Sequence, residues 1–129
     1  MANIYRDYAG YDPDKVKEGV WFDIIGKARI KLAYMGMENA NFIQSAEAIT
    51  DLTDESVSAV VRHQRAVDFV ANNVVLEWEG FEDQNDEPLP YSKEAAHLLL
   101  SNVPKLLQFC LAKSRDLKRY KIEADKGNS

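Results

Sequence analysis

The side chains most often used in catalysis are scarce in this chain of 129 residues. It contains two histidines, His63 and His97, and one cysteine, Cys110. A nucleophile needs a base within hydrogen-bond reach, and a zinc site needs several ligands at close spacing. Cys110 lies among leucines with helical spacing, which predicts a small buried hydrophobe, and neither histidine has a second ligand at a zinc-site spacing. We therefore expect no enzyme activity, no metal ligands and no cofactor.

One acidic stretch has the spacing of a calcium-binding loop. Its oxygen-bearing residues at loop positions 1, 3, 5 and 12 are Asp83, Asn85, Glu87 and Glu94. Such a loop needs glycine at its sixth position, where this chain has Pro88, and proline cannot adopt the positive φ required there. We interpret the stretch as a solvated acidic loop.

Charge is distributed unevenly along the chain. The formal net charge is −5, but residues 38–94 carry −10 and residues 95–129 carry +4. The overall acidity disfavours nucleic acid as a partner. The two segments of opposite sign would allow head-to-tail pairing between copies, although two solvated helix faces would show the same counts.

Apolar residues make up 46% of the chain, which suits one domain, but they occur in short runs. Stretches such as Val74–Leu76 and Leu98–Leu100 fall far below the roughly 20 residues that span a bilayer. The N-terminal residues lack the pattern of a secretory signal, and one cysteine cannot form an internal disulfide. We expect a cytoplasmic protein with no membrane anchor.

The periodicity predicts a mainly α (α+β) fold, a helical single domain with a small N-terminal β-hairpin. Residues 1–18 are polar and lack a sustained apolar period, so we expect a flexible arm. Alternation of apolar and basic residues on either side of Gly26 predicts a hairpin at about 20–34, within a domain spanning 19–122. Residues 123–129 should form a frayed tail.

Spacing of three and four residues predicts the helices. We expect one at 38–50 and a long one at about 54–79, stopped by Gly80 and followed by a loop closed by Pro90. Ser92 should cap the next helix, and Asn102 should cap a last helix that runs to about residue 122. The apolar face of that last helix comprises Leu106, Leu107, Cys110, Leu111 and Leu117.

Several short motifs resemble those of the tail assembly chaperones of long-tailed, siphovirus-type bacteriophages. They are the stretch Trp78–Phe81, the Pro-Leu-Pro-Tyr loop within Pro88–Ala95, and Val103–Pro104. Upstream, the alternating residues Lys27–Tyr34 and the step Asn39–Phe42 follow the same order. The resemblance covers roughly residues 19–117.

The resemblance implies a protein of the host cytoplasm that binds the tape measure protein, keeps it soluble and promotes tail tube assembly. Such a chaperone is absent from the mature virion. The resemblance also implies contact with the tail tube protein through a longer, frameshifted form. The alternative is a small head-tail structural protein that is retained in the particle.

Large aromatic residues near loops are either core residues or binding anchors. Our candidates for partner binding are Trp21, Phe22, Trp78, Phe81 and Tyr91. We also expect a homo-oligomer in which the acidic segment 77–87 of one copy faces the basic segment 113–121 of the next. The candidates for this self-association are Glu77, Glu79, Glu82, Asp83, Lys113, Arg115, Lys118 and Arg119.

Overall fold

A computed structural model describes residues 12–36, 39, 56 and 58–120. Within these residues the chain forms four α-helices, three strands and one 3-10 helix. They are α1 (Pro13–Glu18), β1 (Val20–Asp23), β2 (Arg29–Leu32), α2 (Ala59–Asn73), β3 (Val75–Glu79), α3 (Lys93–Asn102), α4 (Pro104–Lys113) and the 3-10 helix Leu117–Tyr120. The helix expected at 38–50 and the tail at 123–129 lie outside the described residues.

The three described strands form one antiparallel sheet in the order β1-β2-β3. Phe22, Ile30 and Trp78 pair across the sheet in one row, and all three are buried. The alternate row, Trp21, Lys31 and Glu77, points to the opposite face because neighbouring side chains alternate across a strand. The predicted hairpin is therefore confirmed, and a third strand completes its sheet.

That third strand makes the prediction of a mainly helical fold wrong. Residues 75–79, assigned above to the long helix, form β3, and α2 ends at Asn73. The spacing of Val70, Val74 and Trp78 fits a helix, and strict alternation would put Val75 and Trp78 on opposite faces of a strand. A register shift in the β2–β3 pairing, between Lys31 and Leu32, brings both onto the buried face. A two-stranded hairpin is marginal alone, so pairing with β2 outweighs one more helical turn rich in valine. The fold is mixed α+β.

Of the flexible arm predicted for residues 1–18, residues 1–11 lie outside the described residues, and the segment from Asp12 onward packs into the fold. Asp12 caps α1 by accepting a hydrogen bond from the backbone N–H of Asp14. Val16 is fully buried, and its carbonyl accepts from the backbone N–H of Tyr34. One apolar residue in a six-residue helix leaves no periodic signal, which explains the difference.

The C-terminal helices differ from the prediction at their junction and at their end. Ser92 caps α3 as expected, since its hydroxyl accepts from the N–H of Ala95. Asn102 is the last residue of α3, and Val103 precedes α4 without a side-chain cap.

The last helix is also shorter than predicted. Helix α4 ends at Lys113, and the chain turns so that Tyr120 is fully buried and donates its hydroxyl to the Leu32 carbonyl at 2.9 Å. Among the described residues, no helix has both the length and the apolar character needed to cross a membrane.

Candidate functional site

Three of the predicted partner-binding aromatics pack against one another. Trp78 is buried and donates its indole N–H to the Leu89 carbonyl at 2.8 Å. Phe81 stacks on Trp78 with centroids 4.8 Å apart, and Tyr91 meets Trp78 edge-on at 5.1 Å. The Tyr91 hydroxyl donates to the Val75 carbonyl at 3.2 Å. We call Trp78, Phe81 and Tyr91 the aromatic cluster; it fastens the acidic loop to β3.

The other two aromatic candidates lie on opposite faces of β1. Phe22 is buried, and the Arg119 guanidinium lies 4.4 Å from its ring centroid. Trp21 is half-buried on the outer face of the sheet, where the Arg29 guanidinium lies 4.2 Å from its ring. Neither ring is an open anchor, because each is covered by an arginine of the same chain.

Two of the predicted self-association residues are engaged within the chain. Arg29 donates from two nitrogens to the two carboxylate oxygens of Glu79, both at 2.9 Å. This pair of bonds lowers the pKa of Glu79 and raises the pKa of Arg29. Arg119 donates to the Trp21 carbonyl at 2.8 Å, at the outer edge of the sheet.

The remaining self-association candidates are exposed on the surface. Glu77 lies on the outer face of the sheet and is exposed, as are Glu82, Asp83, Lys113, Arg115 and Lys118. The Lys113 ammonium lies 5.8 Å from the Phe109 ring centroid. The structure therefore narrows the candidate acidic surface to Glu77 and the loop, and the basic one to Lys113, Arg115 and Lys118.

Hydrogen bonds among its own residues hold the acidic loop in shape. The Asp83 carboxylate accepts from the backbone N–H groups of Asn85 and Glu87, at 2.8 and 3.1 Å. The Asp83 N–H donates to the Glu87 carbonyl, and Asp86 takes a positive φ of 60°. Within the described part of the chain, no group of three or more His, Cys, Asp or Glu residues is arranged to hold a metal.

The two histidines and the cysteine lie in three different environments. His97 Nδ1 lies 3.1 Å from Asp68 Oδ1, and His97 Nε2 lies 2.9 Å from Asn72 Oδ1, so this ring joins α3 to α2. His63 is exposed on α2. Cys110 is buried as predicted, and burial raises the pKa of its thiol to about 12.

A feature that the sequence did not predict is an apolar groove of about 940 Å³. One wall is formed by Ile24 and Ile25 in the β1–β2 turn and by Phe81 after β3. The other wall is formed by Leu99, Val103, Leu106 and Phe109, around the junction of α3 and α4. We call this the apolar groove.

Local backbone geometry explains why the groove forms at this end of the sheet. Gly80 has a φ of 73°, and a Cβ there would lie 2.9 Å from the Lys27 carbonyl oxygen. Glycine therefore lets the end of β3 lie directly against the β1–β2 turn. On the opposite wall, α3 ends at Asn102 and Pro104 begins a new helix immediately after Val103.

Apolar side chains of the groove are exposed to an unusual degree. Ile25 is 78% exposed and Val103 is 39% exposed, whereas turn and cap positions favour polar residues or glycine. Isoleucine in a turn and valine before Pro104 were the signals in the sequence that could have found the groove. Lys27 and Lys105 on opposite walls, together with Glu82, are exposed polar residues that line it.

A protein-family model matches most of the chain. The model of the YdaY prophage protein family matches residues 33–128, well over half of the chain. No curated protein and no solved structure matches the chain. The matched range includes α2 to α4, β3 and the second wall of the groove, and begins after β1 and β2.

Proposed function

This chain belongs to the YdaY prophage protein family, and on that premise we propose that it is a phage tail assembly chaperone. In this proposal it binds the tape measure protein in the host cytoplasm and keeps it soluble. It also promotes tail tube assembly and leaves before the virion is complete. The family match makes the chain phage-derived; the chaperone role is our inference.

The observation that carries the proposal is the apolar groove. Its walls present isoleucine, leucine, valine and phenylalanine side chains to solvent in one continuous depression. Burying apolar surface is favourable by roughly 25 cal/mol per Å², so a groove of this kind supports association with an apolar segment of another protein. A chaperone needs such a surface, whereas catalysis needs convergent titratable groups.

The groove also changes which residues we assign to client binding. Phe81 is the one predicted partner-binding aromatic that lines it, and Phe81 is half-buried. Trp78 and Phe22 belong to the core, so substituting them would test stability rather than binding. Ile25 and Val103 replace them as the residues through which we propose client contact.

Self-association is a second part of the proposal. The exposed acids Glu77, Glu82 and Asp83 of one copy would meet exposed bases of the next. Those bases are Lys113, Arg115 and Lys118. Light scattering at tens of micromolar should show an oligomer at low salt and a smaller species at high salt, because salt screens such contacts. A monomer at both salt concentrations would contradict this part. Contact with the tail tube protein remains assigned to a longer, frameshifted form.

Co-expression tests the function directly. The tape measure protein of the same prophage should move from the insoluble to the soluble fraction when this chain is expressed with it. Equal insolubility with and without the chain would contradict the chaperone role. Mass spectrometry of purified virions then separates the two classes of phage protein, since a retained head-tail protein would be found in the particle.

A further inference from the structure

The walls of the apolar groove restrict the kind of segment that it can bind. In the β1–β2 turn, the backbone N–H of Ile24 donates to the Ala28 carbonyl, and the N–H of Ala28 donates to the Ile25 carbonyl. The opposite wall consists of helical side chains and the helix junction. Side chains therefore supply the contacts, which suits an occupant whose own backbone is already hydrogen-bonded.

A helix meets that requirement, because its backbone hydrogen bonds lie within the segment. An extended peptide would instead need a row of unpaired groups on a strand edge. At the edge of β1, the Trp21 carbonyl already accepts from Arg119, and at β3 the Val75 carbonyl accepts from Tyr91. Each contact occupies a carbonyl on an edge strand that an added strand would otherwise use, which disfavours strand docking.

The charges at the groove select among helices. Lys27 lines the wall formed by the turn, and Lys105 lines the wall formed by α4, so a segment seated between the walls has a cation on either side. Glu82 marks the end of the groove next to the exposed acidic loop. Acidic residues flanking an apolar stripe would complement both lysines, and a basic residue would suit the end near Glu82.

The exposed part of α2 does not have this pattern. Val60 and Val61 are exposed, but the next residue is Arg62, which would place a cation beside Lys27 and Lys105. Like charges at an interface oppose association. Docking of a second copy through the start of α2 is therefore disfavoured.

We propose that the apolar groove binds an amphipathic helix whose apolar stripe is flanked by acidic residues. This inference rests on the proposed function and specifies which segments of the client are recognised. In this proposal the lysines of the groove choose among helices by charge, and its apolar side chains supply the affinity. Mutation can therefore test the charge preference and the affinity separately.

Two synthetic helical peptides of about 18 residues, roughly five turns, provide the test. Both carry leucine at helical spacing along one face; one has glutamate flanking that face and the other has lysine. Binding of the fluorescently labelled peptides is measured by anisotropy. We expect the glutamate peptide to bind roughly fivefold or more tightly than the lysine peptide, and the preference to shrink with added salt.

Charge reversal in the groove should reverse the preference. In Lys27→Glu/Lys105→Glu the lysine peptide should bind more tightly, while the matched variant Lys17→Glu/Lys93→Glu, with the same change in net charge outside the groove, should retain the wild-type order. Equal binding of the two peptides by the wild type, or an order unaffected by the groove reversal, would overturn the inference.

Failure of this inference and failure of the proposed function give different results. If the client stays insoluble with the wild-type chain, the chaperone role fails even when the peptides are discriminated. If the client is solubilised but the two peptides bind equally, charge selection fails and the chaperone role stands. If Ile25→Asp/Val103→Asp no longer binds either peptide, the binding site is the groove. If this variant binds both peptides as tightly as the wild type does, the inference is overturned.

Discussion

The aromatic cluster and the apolar groove meet at Phe81 but are packed in opposite ways. On the cluster side, the Phe81 ring stacks on Trp78, whose indole N–H donates to the Leu89 carbonyl. On the groove side, the same residue lines a depression with exposed Ile25 and Val103. Both regions are apolar, yet only the cluster has its surface covered by the chain itself.

This difference shows that residue size does not identify a binding surface. Trp78 and Tyr91 have polar atoms whose partners, the Leu89 and Val75 carbonyls, lie within the same fold. Aliphatic residues such as Ile25 have no polar atom that needs a hydrogen-bond partner. The only free-energy cost of exposing them at a turn is that of apolar surface in contact with water. The groove is therefore made by medium-sized side chains at an element junction rather than by the large aromatics.

The largest expected contrast between the core and the groove is in thiol reactivity. Cys110 is buried, and its pKa of about 12 leaves almost no thiolate at pH 8. A cysteine placed in the groove by Val103→Cys should have a pKa near 8.5 and react about a thousandfold faster. Intact mass after brief labelling should show one modification in the variant and none in the wild type. Rapid labelling of native Cys110 would contradict the packing described here.

Removal of the central ring of the aromatic cluster should have the largest effect on stability. Trp78→Ala should lower the free energy of unfolding by about 3–5 kcal/mol, because it leaves a cavity under Phe81 and Tyr91. Urea denaturation measures the change. Trp21→Ala is the matched control, since that ring is half-buried on the outer face of the sheet. An equal loss in the two variants would mean that the cluster is not a core element.

A single buried hydroxyl should give a smaller effect. Tyr120→Phe should cost about 1–3 kcal/mol, because the Leu32 carbonyl then lies buried without that donor. Tyr91→Phe removes a comparable bond from a half-buried ring and should cost less. The two free energies of unfolding, measured under one set of conditions, compare the interior with the edge of the aromatic cluster. A larger loss for Tyr91→Phe would contradict this ranking.

The smallest expected effect concerns the outer face of the sheet. The paired Arg29 lowers the pKa of Glu79, so the ion pair adds stability above the ordinary carboxyl pKa, and this is lost as the pH falls through the lowered value. The difference in the free energy of unfolding between the wild type and Glu79→Gln should therefore become smaller at acidic pH and at high salt. A difference that grows on acidification would contradict the assigned pairing.

The sequence predicted local elements better than the way the elements meet. Alternation around Gly26 identified the hairpin, and Ser92 was recognised as a cap, because both signals are contained within a few residues. Strand β3 was missed because the spacing of Val70, Val74 and Trp78 also fits a helix, and the pairing of Trp78 with Ile30 is visible only in the folded chain.

The groove was missed for a related reason. Its two walls come from segments around residues 24–28 and 99–109, so no local period connects them. The predicted aromatic candidates were chosen by residue type, and four of the five are covered by, or packed into, the same chain. Phe81 alone among them lines the groove, although its ring also stacks on Trp78.

Client solubility in the presence of matched groove variants tests the central claim most directly. Ile25→Asp/Val103→Asp puts charge into the groove, and Val60→Asp/Leu98→Asp makes the same kind of change at exposed apolar positions outside its lining. Both should alter the free energy of unfolding by no more than about 0.5 kcal/mol. We predict that the wild type and the control keep co-expressed tape measure protein soluble and that the groove variant does not. Full solubility with the folded groove variant would contradict the claim that this groove binds the client.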